Sequence, residues 1–110
     1  MLKIEEGKVY MTRGDTAYLE IAITLNDGSL YSMGPADKLR FSVKKDIADK
    51  EYAFQKVSEG SNLFTIDPVD TNDLATGKYW YDVELETAIG EIFTVIEKSG
   101  FYLREEVTEE

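Results

Sequence analysis

Apolar and polar residues alternate along most of this chain, which is the pattern of half-buried β-strands. In residues 78–86 the alternation is clearest, and the apolar parity consists of Tyr79, Tyr81, Val83 and Leu85. The other parity carries charged residues and Trp80. We expect the first set to face a core and the second to face outward.

Similar alternation recurs at short intervals along the chain. The predicted strands are residues 8–12, 19–25, 39–45, 51–57, 63–66, 78–86 and a long last strand made of 91–97 and 101–104. We expect 51–57 to be an edge strand with Tyr52, Phe54 and Val57 toward the core. Glycine permits a kink, so Ser99-Gly100 predicts a bulge in the last strand. About seven strands at this spacing predict an all-β, immunoglobulin-like β-sandwich of antiparallel strands.

One short helix is predicted between the strands. Asp67 stands where a helix cap belongs, Pro68 suits the first helical position, and Asp70 suits the acidic position of a capping box. Only a single turn fits before Gly77.

Length and composition limit the possible functions. The 110 residues fit one domain, which we place at 1–104, followed by an acidic, frayed tail at 105–110. The net charge of −10 argues against nucleic-acid binding and against adsorption to an anionic membrane. Because the chain has no cysteine and no histidine, it lacks thiol chemistry and the commonest general base. The first ten residues do not resemble a signal peptide, so we expect synthesis in the cytoplasm.

Residues 74–83 contain the most informative motif. Leu74, a bend at Gly77 and then Tyr79 at the start of an alternating strand resemble the tyrosine corner of immunoglobulin-like domains. In that motif the tyrosine hydroxyl bonds back to the preceding loop, which predicts a structural role for Leu74, Gly77 and Tyr79. Tyr81 has the same parity and is the alternative corner residue.

A wider resemblance covers residues 10–103. The matching stretches are Arg13-Gly14-Asp15-Thr16, residues 39–45, Ile66-Asp67-Pro68 with Asp70-Thr71, Leu74 with Gly77, Tyr79, Tyr81-Asp82-Val83 and the strand to Phe101. Together they resemble the immunoglobulin-like N-terminal domain of phage baseplate upper proteins and related tail-associated domains. The resemblance implies a structural or adaptor domain in the tail or baseplate of a phage or prophage particle, which contacts other virion proteins and forms a homo-oligomer.

Two carboxylate clusters are candidates for chemistry. Asp67, Asp70 and Asp73 resemble a hard-cation cluster, but the spacing is not that of an EF-hand, and helix capping explains them better. Asp82, Glu84 and Glu86 line one face of a strand without sign of a cleft, and we expect them to pair with Arg40 and Lys44 across the sheet. We therefore expect no catalytic residues, no metal site and no cofactor.

An interface is predicted on the outer sheet face. Residues 91–96 are apolar on both parities, with Ile92 and Ile96 on one and Phe93 and Val95 on the other. One pair must lie outward beside Trp80, so the interface candidates are Trp80, Ile92, Ile96 and Arg40. Tyr31, Met33 or the N-terminal segment could instead cover this patch.

A second functional class stays open. A small carbohydrate- or ligand-binding β-sandwich module would use exposed aromatic rings, and the candidates are Trp80, Tyr31 and Tyr52.

Overall fold

The computed structural model describes residues 2–107 and has an all-β architecture. Its elements are β1 (Lys3–Glu5), β2 (Lys8–Thr12), β3 (Ala17–Glu20), β4 (Lys38–Lys44), β5 (Phe54–Glu59), β6 (Leu63–Ile66), α1 (Pro68–Thr71), β7 (Gly77–Glu86) and β8 (Ile92–Arg104). No helix within the described residues is long and apolar enough to cross a membrane.

The strands form two sheets of unequal size. The larger has six strands in the order β1-β2-β8-β7-β4-β5, and the smaller pairs β3 with β6. All neighbouring strands are antiparallel except β2 and β8, which run parallel with Val9 opposite Phe101. The larger sheet is therefore mixed.

One hydrophobic core lies between the two sheets. Every inward residue predicted in β7 is buried: Tyr79, Tyr81, Val83 and Leu85. Phe41 of β4 is fully buried and lies between the sheets, with its ring centroid 5.8 Å from that of Phe64 in β6 and 6.2 Å from that of Phe101 in β8. Aromatic packing thus joins both layers.

The predicted strand at 19–25 is wrong at both ends. β3 begins at Ala17 and ends at Glu20, opposite Leu63, the first residue of β6. Beyond that point Ile21 bonds instead to Asn62, whose backbone carbonyl accepts from Ile21 N–H at 2.9 Å. Ile21 and Ile23 stay buried although they lie beyond the end of the ladder, whereas Leu25 is exposed.

The predicted edge strand at 51–57 is shifted in the structure. β5 is an edge strand as expected, but it spans Phe54–Glu59. Only Phe54 reaches the core, while Tyr52 and Val57 are about half exposed. β1, a further edge strand, was not predicted.

The bulge in the last strand is also displaced. Gly100 lies regularly opposite Trp80, and the irregularities fall between Thr94 and Ser99. Gly100 has a different role: a Cβ there would meet Cε2 of Tyr102 at 2.7 Å. The glycine makes space for that ring, which stacks on Tyr10 with centroids 4.8 Å apart.

Candidate binding surfaces

The tyrosine bond predicted from the sequence is present at Tyr79. Its hydroxyl donates to the Ala75 carbonyl at 2.6 Å, and Gly77 adopts a φ of 136°, which favours glycine. Burial raises the pKa of the Tyr79 hydroxyl. Tyr81 instead donates to the Gly7 carbonyl, so it ties the first hairpin to β7. Leu74, half-buried, packs against the core. These residues hold the fold together.

The Arg13-Gly14 segment is anchored on the connection between β6 and β7. Arg13 donates to the Leu74 carbonyl at 3.1 Å and pairs with Glu106 at 2.7 Å, while Gly14 N–H donates to the Thr71 hydroxyl at 2.8 Å. The Arg13 guanidinium lowers the pKa of Glu106. The frayed tail predicted from Glu105 onward therefore has one fixed residue, and residues 108–110 lie outside the described part of the chain.

Glu84 and Glu86 of β7 pair with Arg40 of β4 as expected, whereas Asp82 lies opposite Ser42 and not opposite Lys44. Arg40 lies opposite Glu84 and contacts it at 3.7 Å, and it also donates to Glu86 at 2.5 Å. Hydrogen bonding to Arg40 lowers the pKa of Glu86. Burial raises the pKa of the Asp82 carboxyl, although the nearby Lys44 charge opposes that shift. This arrangement neutralises charge across two strands.

The Asp67 cluster is organised around a lysine. Asp67 N–H donates to the Asp70 carboxylate at 2.8 Å, which is the capping-box contact predicted for Asp70. Lys56 Nζ lies 3.2 Å from Asp67 and 2.9 Å from Asp70, and its pKa is raised mainly by the bond to Asp70. Within residues 2–107, no group of three or more acidic side chains is arranged to hold a metal ion.

A shallow groove of about 180 Å³ lies on the outer face of the larger sheet. We call it the outer groove; its main lining residues are Arg40, Tyr52, Gln55, Trp80, Asp82 and Lys98. Lysine side chains lie over both aromatic rings, Lys78 at 3.9 Å from the Trp80 centroid and Lys44 at 5.3 Å from that of Tyr52. Tyr31, the third predicted aromatic, lies elsewhere.

The predicted apolar patch around Trp80 is not formed. Trp80 lies opposite Gly100, whereas Ile92 lies opposite Glu86 at the other end of β7. Ile96 lies opposite the buried Val83 and packs on the core. The prediction assumed unbroken alternation through 91–96, and the register shifts in β8 remove it. Of the interface candidates, only Trp80 and Arg40 share a surface, the outer groove.

The Phe93–Val95 pair does not flank Trp80 either. Phe93 lies opposite Leu85 and lines a second groove of about 660 Å³ at the other end of the protein. We call this the end groove; its apolar lining includes Ile23, Leu25, Leu85, Ile89, Phe93 and Val95. Leu25, Ile89 and Phe93 are each more than two-fifths exposed. This surface was not predicted from the sequence, because Ile23 and Phe93 belong to segments distant in sequence.

Asp37 holds one wall of the end groove in place. This buried carboxylate accepts from the Tyr31 hydroxyl at 2.6 Å, from Gly34 N–H at 2.9 Å and from Ala88 N–H at 3.0 Å. The bond from Tyr31 is the main cause that lowers the pKa of Asp37. The carboxylate thus connects the loop before β4 to the turn between β7 and β8. Tyr31 and Met33 pack on the core and do not cover Trp80.

Comparison with known proteins adds no identification. No protein-family model matches the chain, and no curated protein sequence matches it.

Proposed function

We propose that the chain is an immunoglobulin-like β-sandwich that serves as a non-catalytic structural or adaptor domain in a phage or prophage tail or baseplate. The strand order supports the fold: β8-β7-β4-β5 corresponds to strands G, F, C and C′, and the β3–β6 pair corresponds to B and E. Tyr79 lies near the start of the strand that corresponds to F and bonds back to the preceding connection, as a corner tyrosine does.

The end groove is the observation that carries the proposed function. A groove of about 660 Å³ with Leu25, Ile89 and Phe93 exposed at its walls presents apolar surface at one end of the domain. Exposed apolar residues grouped in a groove are typical of sites that bind another protein or a ligand. The buried polar groups nearby, Asp37 above all, are already hydrogen-bonded within the fold. The surface therefore favours protein–protein contact over catalysis.

Particle composition tests this function directly. Phage particles induced from the strain that encodes the chain would be purified on a density gradient and digested for mass spectrometry. We expect peptides of this chain in the tail fraction at a fixed ratio to other tail proteins. A chain absent from intact particles would overturn the assignment.

Self-association is a separate part of the proposal. We expect a concentration-dependent homo-oligomer held partly through the outer groove, where Trp80 is half-buried and bounded by Arg40. Sedimentation velocity over a concentration series would measure it. Trp80→Ser should weaken the oligomer with the fold intact, because tryptophan is a frequent interface anchor. A chain that stays monomeric at high micromolar concentration would exclude self-association and leave only contacts with other proteins.

The outer groove also favours a second candidate, a carbohydrate-binding module. Trp80 and Tyr52 line it together with Arg40, Gln55 and Asp82, which combines aromatic rings with hydrogen-bonding groups. A glycan array would test it, with a Trp80→Ala, Tyr52→Ala variant as the loss-of-binding control. Tyr18→Ala is the matched control, because Tyr18 is an exposed tyrosine on β3 of the smaller sheet. Binding that survives the double variant would exclude the outer groove.

A further inference from the structure

The first half of β8 has an open edge. β8 pairs with β7 along its length, from Leu103 opposite Gly77 to Ile92 opposite Glu86. On its other side β2 pairs only with residues 101–104. Within the described part of the chain, no strand pairs with that side at residues 92–98. Its backbone groups can therefore accept another strand.

The end groove runs along this open edge. Phe93 and Thr94 both line it, although Phe93 lies opposite the buried Leu85 and Thr94 lies opposite the half-exposed Glu84 on the outer face. Neighbouring residues of a strand point to opposite faces, so a groove that both line must pass along the backbone edge. The opposite wall is formed by Ile23, Thr24 and Leu25.

That opposite wall is itself an interrupted strand. Residues 19–25 alternate as a strand does, yet β3 ends at Glu20. Residues 23–25 then pair with 29–31 through the bridge between Thr24 and Leu30, where the Ile23 carbonyl accepts from Tyr31 N–H and Leu25 N–H donates to the Ser29 carbonyl. The open pairing edge of the groove is therefore that of β8. This is the surface on which β-augmentation occurs, in which an extended peptide adds main-chain hydrogen bonds to a sheet edge and places alternate side chains in pockets.

We infer that the end groove binds an extended segment of a partner protein, with alternating apolar residues and a net positive charge, by adding a strand to the first half of β8. The inference rests on the proposed function and names the chemistry of its partner. The apolar side chains of the segment would contact Phe93, Val95 and Ile23. The register shifts that begin after Thr94 limit the paired stretch to about five residues, or roughly 17 Å of extended chain.

Charge selects a cationic partner over a second copy of this chain. The chain carries a net charge of −10, and Glu91 lies in the groove lining. The charged residues that line the groove, Asp37 and Glu91, are both acidic. A second copy would bring its own Glu91 to this acidic edge, and like charges destabilise a strand pair. A lysine-bearing strand meets attraction there instead.

The first test uses a synthetic peptide as the probe. A capped peptide of about nine residues, in which valine alternates with lysine, would be titrated into ¹⁵N-labelled protein and followed by NMR. We expect saturable shifts confined to the amides of residues 91–95 and of 23–25, with a Kd of about 100 µM or below. A scrambled peptide of the same composition, and one methylated at alternate backbone amides, should each bind at least about tenfold more weakly.

Variants of the protein would show where the peptide binds. Phe93→Ser should weaken binding about tenfold or more. Val57→Ser is the matched control, because Val57 is also about half exposed and lies on β5, the opposite edge of the same sheet. Thermal melts of both variants would establish that each is folded.

Three outcomes would overturn the inference. Equal binding of the alternating and scrambled peptides would exclude strand addition, and shifts centred on β5 would exclude this edge. Protection of the 92–95 amides that depends on protein concentration alone would assign the edge to a second copy. The proposed function is tested separately. If the chain binds the peptide but is absent from phage particles, the binding site stands and the phage role is excluded. If the chain is present in particles but does not bind the peptide, the phage role stands and the binding site is excluded.

Discussion

The two halves of β8 belong to one strand but have opposite environments. Residues 101–103 are paired on both sides, by β2 and β7, and Phe101 and Leu103 are almost completely buried. Near the other end, Ile92 and Phe93 are about half exposed, and among the described strands they pair only with β7. The irregular register between Thr94 and Ser99 separates the halves. Pairing on a second side thus coincides with burial, and the singly paired half is the one available for recognition.

Core truncation should show the largest difference between the halves. Phe101 is fully buried and its ring packs with those of Phe41, Phe54 and Tyr81. Phe101→Ala should cost about 3–5 kcal/mol of unfolding free energy, since it leaves a cavity in the core. Phe93→Ala, at a half-exposed position, should cost under about 1 kcal/mol. Denaturant titration of both variants measures this, and equal losses would refute the contrast.

Gly100 tests the boundary between the halves. Gly100→Ala should cost about 1 kcal/mol, because the new methyl group displaces the Tyr102 ring from its stack on Tyr10. The same substitution in a Tyr102→Leu background should cost much less, which a double-mutant cycle would reveal. An unchanged cost in both backgrounds would mean that Gly100 acts through the backbone.

The hydroxyl hydrogen bonds of Tyr79 and Tyr81 allow the doubly paired half of β8 to be compared with the border between the two halves. Tyr79 lies opposite Phe101, and Tyr81 lies opposite Ser99. Tyr79→Phe should cost about 1 kcal/mol, because the Ala75 carbonyl loses its partner. Chemical denaturation would be run on Tyr79→Phe and Tyr81→Phe together. An unaltered midpoint for Tyr79→Phe, with a clear loss for Tyr81→Phe, would move the corner role to Tyr81.

Acid should act through Asp37 on the singly paired half. Its folded-state pKa is lowered, mainly by the bond from Tyr31, so its contribution to stability is present above its ordinary pKa of 3.8. That contribution is lost as the pH falls below 3.8 and through the folded-state value. Asp37→Asn should therefore flatten the decline in stability at low pH and reduce stability at neutral pH. Thermal melts of both proteins from neutral to acid pH check this. Parallel curves of stability against pH would show that Asp37 does not cause the loss of stability in acid.

Local alternation predicted much of the fold but little of the binding surface. The strand at 63–66 and the inward set of β7 are confirmed, because each depends only on period-two burial. The capping-box acid Asp70 and the Arg40–Glu84 pairing are also confirmed. These features follow from neighbours in sequence or from directly opposed strands.

The misplaced features depend on which strands receive partners. Residues 19–25 stop being a strand at Glu20 because β6 is too short to continue the ladder. Phe93 and Ile96 both lie opposite buried residues of β7, despite their odd spacing, because β8 shifts register between them. Neither ladder length nor bulge position is encoded in the hydrophobic pattern of one segment. The end groove, made by two such segments, could not be predicted from that pattern.

The parallel pairing of β2 with β8 also determines how the domain responds to force. β2 enters its ladder near Val9 and β8 leaves the ladder at Arg104, at opposite ends of the same set of paired residues. We expect tension on the two flanks to peel β1 away first and then to pull β2 and β8 along their own axes in opposite directions. The hydrogen bonds of that ladder are then sheared together instead of opening one after another. Single-molecule pulling through the flanks should therefore need a higher force than pulling β7 and β8 apart at their turn.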